Sequence, residues 1–598
     1  MYANPAVRVS AVPNPLVDET DLTPLPTPTS NLSLPLKAGE FDTIAEGLDY
    51  AAKGETGFNY YSVRGELRSA LSYAELQDDA ISLARKLLTL GLPRGARVAL
   101  IAETIPDFHC IFFACQYASL VPVQLPVPMN LGAKEAYLDQ LRHMIAAALP
   151  SVAVASAPMI EMLRAAIEGL DIPFVGTPED FHALSEGPQL RLPGVEDPCY
   201  IQYSSGSTSE PKGIVVSQRS ALSNVRGITQ HGLRLRQDDR ANSWLPLYHD
   251  MGLIGFCISP MMSQRSVDYL ATADFARRPL LWLRLMSENG GTIAFSPTFG
   301  YDLCRRQGVN GSAAGLDLSS WRIAGIGGDM VRPSVLRRFT ETFADKGFKG
   351  TAFLPSYGLA ESTLAVSFAP LESEFEVDRI DKEALSRTGY AAPAAPNTPV
   401  EDTRSFVMCG SRLPHHEIEI WDPEGKKLPD RHVGRILVRG PSVMDGFFQA
   451  EEKTAEVLSE QGWLDTGDLG YMVEGSLVIT GRSKDLIILN GRNIWPQDIE
   501  WAAERVAGVR HGDVAAFSVE GPENGEEVIC LVQCRTSAPE AREELIHDVA
   551  MVVRKSVGVD CKVVLVPTRS LPLTSSGKIS RSHAKARYLD GFYTRPRP

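Results

Sequence analysis

Short apolar runs alternate with amphipathic segments over most of the chain from Phe41 onward. Apolar positions from Tyr73 to Leu90 recur at helical spacing, which predicts an amphipathic helix. Continuous apolar runs predict buried strands at 98–101, 121–125, 243–247, 292–295, 323–326 and 351–354. Strands separated by helical stretches indicate largely parallel sheets, and the loops after such strands are where α/β folds bind ligands.

This alternation stops at residues 371–405, which are acidic at first and then rich in alanine and proline. Strand-like runs follow at 417–421 and 434–438, and from about Ser483 the chain has its own mixed pattern with a hairpin signal at Asn490-Gly491. Helices are predicted near 498–506 and 542–557. The pattern predicts an α/β fold with a large N-terminal domain of parallel-type sheets, a β-rich subdomain and a small α+β C-terminal domain. We expect a mobile leader at 1–38, the large domain at 39–482 and the small domain at 483–598.

Composition narrows the class of protein. A chain of 598 residues, with 44% apolar and 22% charged residues, is typical of a globular protein with several domains. Its net charge of -14 argues against a nucleic-acid binder. Nine scattered cysteines without a C-x-x-C pair favour a reduced, cytoplasmic setting without a zinc site. The most apolar run, Cys110 to Pro128, is interrupted by glutamines and prolines, so it predicts a helix and a strand rather than stable membrane insertion.

One stretch, Tyr203 to Gly213, follows an apolar run and has the residues that grip phosphate oxygens. Small residues let the backbone approach a polyanion, hydroxyls donate hydrogen bonds and a lysine supplies positive charge. The candidate residues are Ser204, Ser205, Gly206, Ser207, Thr208 and Lys212. The stretch is not the P-loop of NTPases, because its lysine follows a proline. The alternative is a solvated Ser/Gly linker.

Further strings follow in order, and together with this loop they resemble the adenylate-forming (ANL) superfamily of acyl-CoA synthetases, peptide-synthetase adenylation domains and luciferases. The strings are 244–253, 327–331, 357–363, 463–470, 480–496 and 573–581. All but 480–496 have an ordinary alternative, in order: a structural histidine, a strand–helix turn, a solvated glutamate, a turn-capping aspartate and a surface lysine. Their order over residues from about 41 to 585 favours the resemblance.

The resemblance implies a nucleotide site for ATP. Its adenine loop would be Gly327, Gly328 and Asp329, although the family more often has Ala-Glu-Pro where this chain has Gly328-Asp-Met330. Tyr357 would pack on the adenine, beside Gly358. Asp468 would accept hydrogen bonds from both ribose hydroxyls, because a carboxylate matches a diol. Arg482 would also contact the ribose.

The resemblance also implies the catalytic residues. Glu361, with Thr208, would hold the Mg²⁺ that accompanies ATP, because Mg²⁺ prefers hard oxygen ligands. Lys578 would bridge the substrate carboxylate and the α-phosphate, with Lys212 on the leaving phosphates. His249 would position the acyl substrate. Lys484 would be the pivot of the hinge before the small domain.

Within the superfamily the chain is most similar to the fatty acyl-AMP ligases, through the strings 244–253, 295–301 and 408–414 and the extra segment 371–405. In that family the extra segment restrains the small domain and disfavours coenzyme A. The implied reaction makes acyl-AMP and pyrophosphate from ATP and a medium- to long-chain fatty acid. The acyl group then passes to the phosphopantetheine thiol of a separate acyl carrier protein, for which the basic residues between Lys562 and Arg587 are a candidate docking face.

Three alternatives remain open from the sequence. A long-chain acyl-CoA synthetase would differ in its acceptor. A non-catalytic scaffold would bind ATP without releasing pyrophosphate. A peptide-synthetase adenylation domain would need an acidic residue for an amino group, a role for which Asp250 could be mistaken.

Overall fold

The computed structural model describes residues 22–26, 34–128, 134–203, 212–309, 313–489, 492–520, 526–574 and 578–593. In these ranges the helices are α1 (Ile44–Ala51), α2 (Tyr73–Leu88), α3 (Pro106–Ala118), α4 (Lys134–Ala148), α5 (Ile160–Ala166), α6 (Pro178–His182), α7 (Gln218–Arg226), α8 (Asp250–Gly252), α9 (Ser259–Met262), α10 (Thr272–Arg277), α11 (Leu280–Glu288), α12 (Thr298–Gln307), α13 (Pro333–Phe343), α14 (Lys382–Thr388), α15 (Glu451–Ala455), α16 (Pro496–Ala503), α17 (Pro539–Val557) and α18 (Arg581–Leu589). The strands are β1 (Gly57–Tyr61), β2 (Leu67–Ser72), β3 (Arg97–Ile101), β4 (Val121–Leu125), β5 (Val152–Val154), β6 (Phe174–Gly176), β7 (Pro198–Tyr203), β8 (Gly213–Ser217), β9 (Ala241–Ser243), β10 (Val267–Leu270), β11 (Ile293–Ser296), β12 (Ile323–Ile326), β13 (Phe353–Gly358), β14 (Ala365–Phe368), β15 (Val377–Asp381), β16 (Thr403–Val407), β17 (Ser411–Arg412), β18 (Glu417–Trp421), β19 (Gly434–Arg439), β20 (Gly446–Phe447), β21 (Leu464–Val473), β22 (Ser476–Arg482), β23 (Ile487–Leu489), β24 (Arg492–Ile494), β25 (Val514–Glu520), β26 (Glu526–Cys534) and β27 (Lys562–Pro567).

Two large sheets form the body of the protein. One has the order β17-β14-β13-β12-β11-β9-β10-β1-β2 and is parallel from β13 to β1. The other has the order β20-β8-β7-β4-β3-β5-β6 and is parallel from β7 to β6. Antiparallel strands lie only at the margins of these parallel regions among the described residues. The predicted α/β fold with largely parallel sheets is confirmed.

Burial explains why these strands read as continuous apolar runs. Every residue of β4 is buried, as expected for parallel strands covered on both faces. Helix α3 is buried all along its length from Phe108, so its sequence carries no polar face, and Pro106 occupies its first turn, where a missing N–H breaks no bond. The prediction of a helix followed by a strand between Cys110 and Pro128 is confirmed. No helix among the described residues has the length and apolarity needed to cross a membrane.

The predicted strand at 243–247 is wrong beyond Ser243, where β9 ends. The apolar residues that follow are buried by side-chain packing instead of strand pairing. The Trp244 ring stacks on Phe275 with 3.8 Å between ring centroids. The Pro246 carbonyl accepts the His249 N–H at 3.1 Å, which turns the chain into α8. An apolar run of strand length thus marks a buried loop here.

The β-rich part that follows is an antiparallel sheet in the order β18-β19-β21-β22. Before it lies the segment 371–405, which contains β15, α14 and the start of β16, and β15 pairs with β16 antiparallel. Asp378 of β15 anchors this segment, since its carboxylate accepts from the Tyr471 hydroxyl at 2.6 Å and lies 3.1 Å from the Arg431 guanidinium. The segment is therefore a folded unit fixed to the sheet.

The last part of the chain has its own three-stranded sheet, β25-β26-β27, and its own core with α16 and α17. Strands β23 and β24 precede it as an antiparallel pair with Leu489 opposite Arg492. This pairing agrees with the predicted hairpin, whose turn residues Asn490 and Gly491 lie outside the described residues. The domain boundaries at 38 and 482 stay predictions.

Part of the predicted leader, within residues 22–26, contacts the large sheets. The Leu25 N–H donates to Asn59 Oδ1 at 2.8 Å, and the Leu25 carbonyl accepts from Arg240 Nη1 at 2.7 Å. Arg240 is itself buried in an ion pair with Asp268, 2.6 Å away. This piece of the leader thus covers a buried ion pair.

Candidate active site

A cavity of about 1440 Å³ lies among the large sheets, the β-rich sheet and the small domain. Its walls include Lys212, His249, Gly327, Gly328, Asp329, Tyr357, Gly358, Glu361, Asp468, Arg482, Lys484 and Lys578. These are all of the predicted site residues within the described ranges. Ser204, Ser205, Gly206, Ser207 and Thr208 lie outside those ranges. Residues spread over more than 360 positions of sequence therefore share one space.

A carboxylate with two fixed neighbours forms one wall. Asp468 on β21 lies opposite Arg482 on β22 in the strand register. Asp468 Oδ2 accepts from the Tyr357 hydroxyl at 2.8 Å, and Asp468 Oδ1 lies 3.4 Å from Arg482 Nε. Burial raises the pKa of Asp468, while Arg482 and Tyr357 act to lower it. A carboxylate has about four lone-pair sites, and these two contacts occupy only some of them. The Asp468 oxygens can therefore still accept hydrogen bonds from the two hydroxyls of a diol.

The loop after β12 brings backbone close to the cavity. A Cβ on Gly327 would lie 2.9 Å from the Ser356 carbonyl oxygen, and Gly328 has a φ of +74°, so both positions favour glycine. Asp329 Oδ1 accepts from the Met330 N–H at 2.7 Å. The Gly328 carbonyl accepts a hydrogen bond from Lys578 Nζ. The predicted adenine loop therefore contacts the small domain directly.

Lys578 reaches this loop because a buried ion-pair network holds the chain beside it. Arg581 Nη1 lies 2.7 Å from Asp485 Oδ2, and Arg581 Nε lies 2.7 Å from Glu500 Oε1. Burial lowers the pKa of the Lys578 ammonium, although the nearby Asp329 acts to raise it. Asp485 and Arg581 occur within the motif strings, so their position in sequence was a usable signal, whereas nothing in the sequence singled out Glu500.

His249 and its neighbour are linked at the start of α8. His249 Nδ1 lies 2.5 Å from Asp250 Oδ1, which also accepts the Met251 N–H at 2.7 Å. Burial acts to raise the pKa of Asp250, but His249 and the Met251 N–H outweigh it, so the pKa lies below the ordinary range. Asp250 is thus engaged within the protein, which weakens the peptide-synthetase alternative.

Glu361 lies on the 3₁₀ turn Ala360–Ser362 directly after β13. Burial raises the pKa of this carboxyl, while a hydrogen bond from its own backbone N–H and the charge of Arg482 act to lower it. A buried carboxylate at a cavity wall fits a cation bound together with its ligand. No cluster of three metal-ligating side chains occurs in the described ranges, so phosphate oxygens and water would complete the coordination of such a cation.

Lys212 precedes β8, and its ammonium lies 4.9 Å from the centroid of the Phe447 ring. The contact holds the lysine at the cavity wall directly after the predicted phosphate loop.

The cavity also has an apolar part. Its walls there include Phe256, Phe295, Phe299, Leu303, Leu364 and Phe368. Two π-helical segments border it: Gly227–Gly232 continues α7, and Leu253–Ile258 continues α8. π-Helical turns in proteins often occur at functional sites. Sequence reasoning missed both, because hydrophobic periodicity does not separate a π-turn from an α-turn.

A further contact joins the large and small domains at the cavity wall. Arg332 Nη1 lies 2.6 Å from Glu504 Oε2, and the guanidinium lies 4.6 Å from the centroid of the Trp501 ring. Glu504 Oε1 accepts the Gly512 N–H at 2.7 Å. Although burial acts to raise the pKa of Glu504, its hydrogen bond with His511 and the charge of Arg332 lower it to about 2.

This pKa gives a testable acid dependence. Because the folded-state pKa of Glu504 lies below its ordinary value of 4.5, the ionised carboxylate stabilises the fold above pH 4.5, and this contribution is lost as the pH falls toward 2. The full effect corresponds to about 3 kcal/mol. We expect the urea midpoint of Glu504→Gln to lie well below that of the wild-type protein at pH 6 and the gap to narrow by pH 3. A gap independent of pH would contradict this assignment.

The basic residues near the C-terminal end are only partly available to a partner. Lys578 and Arg581 are engaged as described, and the Arg587 guanidinium donates to the Ser570 carbonyl at 3.2 Å. Lys562, Arg569 and Lys585 are exposed. The predicted docking face is reduced accordingly and stays a prediction.

Comparisons with known proteins agree with this arrangement. The family model of the AMP-binding enzymes matches residues 54–448. A Caulobacter vibrioides protein provisionally named an acyl-CoA synthetase is 48% identical over 570 residues, which cover 95% of this chain and 98% of that protein. The medium-chain fatty acid–acyl carrier protein ligase JamA of Moorena producens is 32% identical over 574 residues, 92% of this chain and 96% of JamA.

Solved structures give the same answer. A chain from a study of fatty acyl-adenylate ligases of E. coli and L. pneumophila matches with a TM-score of 0.90 and 42% identity, covering 94% of this chain and 100% of that chain. Both the sequence match and the shared fold extend over nearly the whole molecule. The chain therefore belongs to the AMP-binding enzyme family and is an adenylate-forming ligase related to the fatty acyl-AMP ligases.

Proposed function

We propose that the protein activates a medium- to long-chain fatty acid with ATP and passes the acyl group to the phosphopantetheine thiol of an acyl carrier protein. A carboxylate oxygen attacks the α-phosphorus of ATP, the bond from that phosphorus to the bridging oxygen of the β-phosphate breaks, and pyrophosphate leaves. The thiol sulfur then attacks the acyl carbonyl carbon, the bond to AMP breaks, and the thiol proton is released. The main support for the first step is that Lys578 of the small domain contacts the Gly328 carbonyl at the cavity wall.

The charges of the cavity suit phosphoryl chemistry, in which positioning and charge neutralisation do most of the work. Lys212 would hold the leaving phosphates. Lys578 would lie between the fatty carboxylate and the α-phosphate, where negative charge is shared in the transition state. Asp468 and Arg482 would hold the ribose, and His249 would orient the acyl carboxylate.

Mg²⁺ is the expected companion of ATP. Glu361 would hold it, with Thr208 as the second protein ligand, because Glu361 is a buried carboxylate at the cavity wall and Mg²⁺ prefers hard oxygen ligands. When bound, the ion neutralises charge on the phosphates.

A fatty acid suits the apolar part of the cavity. Burying a chain among the phenylalanine and leucine side chains that line it gains about 0.8 kcal/mol per methylene. The fatty acyl-adenylate ligases related to this chain support the same substrate class.

The acyl carrier protein as acceptor is supported by contacts between the segment 371–405 and the small domain. On α14, Lys382 Nζ donates to the Ser556 carbonyl, and Ser386 Oγ donates to the Asn493 carbonyl at 3.1 Å. Ser556 lies on α17 and Asn493 on β24. A segment anchored to the large domain thus also holds the small one, as the resemblance implies for enzymes that disfavour coenzyme A.

A buried cation strengthens the same interface. Arg404 at the start of β16 lies between the rings of Phe406 and Trp495, 4.5 and 4.4 Å from their centroids. Its Nε is 3.1 Å from Asp498 Oδ1, close enough for an ion pair although the angle is poor for a hydrogen bond. Trp495 and Asp498 belong to the small domain.

A long-chain acyl-CoA synthetase is the second candidate, and the name of the Caulobacter relative favours it. To distinguish the two candidates, the protein is incubated with ATP, Mg²⁺ and fatty acids of graded length, and acyl-AMP and pyrophosphate are measured. One set of reactions receives coenzyme A and another a holo-acyl carrier protein. We expect acyl-AMP to persist with coenzyme A and to be consumed by the carrier. Rapid acyl-CoA formation would identify a CoA synthetase. ATP binding without pyrophosphate release would identify a non-catalytic scaffold.

The role of the segment 371–405 can be tested within the folded protein. The double variant Lys382→Ala, Ser386→Ala removes the two bonds to backbone carbonyls of the small domain, each worth about 1 kcal/mol, and a longer one of 3.4 Å from Arg492 Nε to Ser386 Oγ. We expect acyl-CoA formation to rise by about tenfold. Arg387→Ala on the same helix is the matched control, since Arg387 is exposed and pairs only with Glu383 of the same helix among the described residues. An unchanged acceptor preference in the double variant would remove the assigned role.

A further inference from the structure

We infer that Arg332 is a positioning residue for acyl-AMP formation: by docking the small domain through Glu504, it sets the place of Lys578 in the cavity. The inference rests on the proposed function, since it assigns Lys578 to the adenylation step. Arg332 itself contacts the small domain and acts through it.

The small domain contacts the loop that follows β12 at two points four residues apart. At the first, Lys578 donates to the Gly328 carbonyl. At the second, Arg332 binds Glu504 and stacks on Trp501, both of α16 or the turn directly after it. Two contacts fix the orientation of the small domain on this loop better than a single contact does.

The second contact, between Arg332 and Glu504, is part of a hydrogen-bonded network. The side chains of Arg332 and Glu504 are only 21% and 8% exposed. His511 Nδ1 lies 2.8 Å from Glu504 Oε2 and 2.7 Å from Arg332 Nη1. A protonated Nδ1 can donate to the carboxylate and an unprotonated one can accept from the guanidinium, so the imidazole fits beside the pair in either state. Buried charge pairs with this many partners are costly to break on one side only.

The two contacts are linked through the small domain. Glu500 lies on α16, one turn before Glu504, and forms an ion pair with Arg581. Arg581 lies three residues after Lys578. A displacement of α16 therefore displaces the chain that carries Lys578. Since a misplacement of about 1 Å at a reacting centre can cost about a hundredfold in rate, the contact at Arg332 bears on the adenylation step.

The test measures acyl-AMP formation by Arg332→Ala, Glu504→Gln, Lys578→Ala and the double variant Arg332→Ala, Lys578→Ala. We expect Arg332→Ala and Glu504→Gln each to lower kcat by about 10- to 100-fold, with a smaller change in the KM for ATP. On the Lys578→Ala background the Arg332 change should cost nothing further, because a residue that acts only through Lys578 has no effect without it. Arg337→Ala, an exposed arginine of α13, is the matched control.

The outcomes separate the inference from the proposed function. Wild-type protein that forms no acyl-AMP would overturn both. Active wild-type protein with an unaffected Arg332→Ala, or with losses from Arg332→Ala and Lys578→Ala that multiply in the double variant, would overturn the inference alone. If Arg332→Ala no longer unfolds cooperatively, Arg332→Lys is measured in its place. This variant keeps the positive charge beside Glu504, so we expect it to retain more than about a third of the wild-type kcat. A loss of kcat equal to that of Glu504→Gln would contradict the assignment.

Discussion

Lys578→Ala is expected to lower the rate of acyl-AMP formation by about 10²- to 10³-fold, the cost of removing one group aimed at developing charge. The ammonium makes the contact that joins the small domain to the Gly328 carbonyl of the predicted adenine loop. Its loss would remove the positive charge that we propose lies between the fatty carboxylate and the α-phosphate. Pyrophosphate release with a saturating fatty acid measures the effect directly.

Two controls accompany this measurement. Lys585→Ala removes an exposed lysine of α18 and should leave the rate unchanged. The KM for ATP of Lys578→Ala should change much less than its kcat, because the residues proposed to bind the ribose and the leaving phosphates remain. A variant that keeps its kcat but loses affinity for ATP would place Lys578 in nucleotide binding instead of the adenylation step.

Asp468→Asn should raise the KM for ATP by about 10- to 100-fold. Hydrogen bonds to a charged group contribute about 1.5–3 kcal/mol each, and the substitution would weaken those proposed to the ribose diol while keeping the size of the side chain. It also leaves Arg482 beside a neutral amide, 3.4 Å from the former carboxylate oxygen. Initial rates over a range of ATP concentrations give the change.

Asp430→Asn is the matched control for this prediction, because Asp430 is exposed on the turn before β19. The KM for the fatty acid should stay within about twofold of the wild-type value in Asp468→Asn, since Asp468 lies with Tyr357 and Arg482, which we propose bind the nucleotide. Equal losses for both substrates would indicate a general disturbance of the cavity and contradict the ribose assignment.

The parallel core was predictable because burial on both faces leaves a simple mark in the sequence. The run at 323–326, for example, coincides with β12. The same rule failed at Trp244, where ring stacking on Phe275 buries an apolar run without a strand. A hydrophobic run indicates that a segment is buried. Whether strand pairing or side-chain packing buries it depends on neighbours distant in sequence.

The candidate site was predictable to the extent that its residues occur in short strings. Asp468 and Arg482 belong to two such strings and meet across a strand pair. Arg332 and Glu504 belong to no recognisable pattern, and 172 positions of sequence separate them. Contacts of this kind depend on how two domains pack, which the local pattern of neither domain contains.

The two π-helical segments beside the cavity have a consequence for sequence alignment. A π-turn closes its hydrogen bond one residue later than an α-turn, so it accommodates one additional residue in the same helix. Removing a residue from Leu253–Ile258 would restore an α-helix and rotate the preceding or following side chains by about 100° around its axis. A single-residue gap at this place between two relatives would therefore signal a cavity of different shape, even where every aligned side chain is identical.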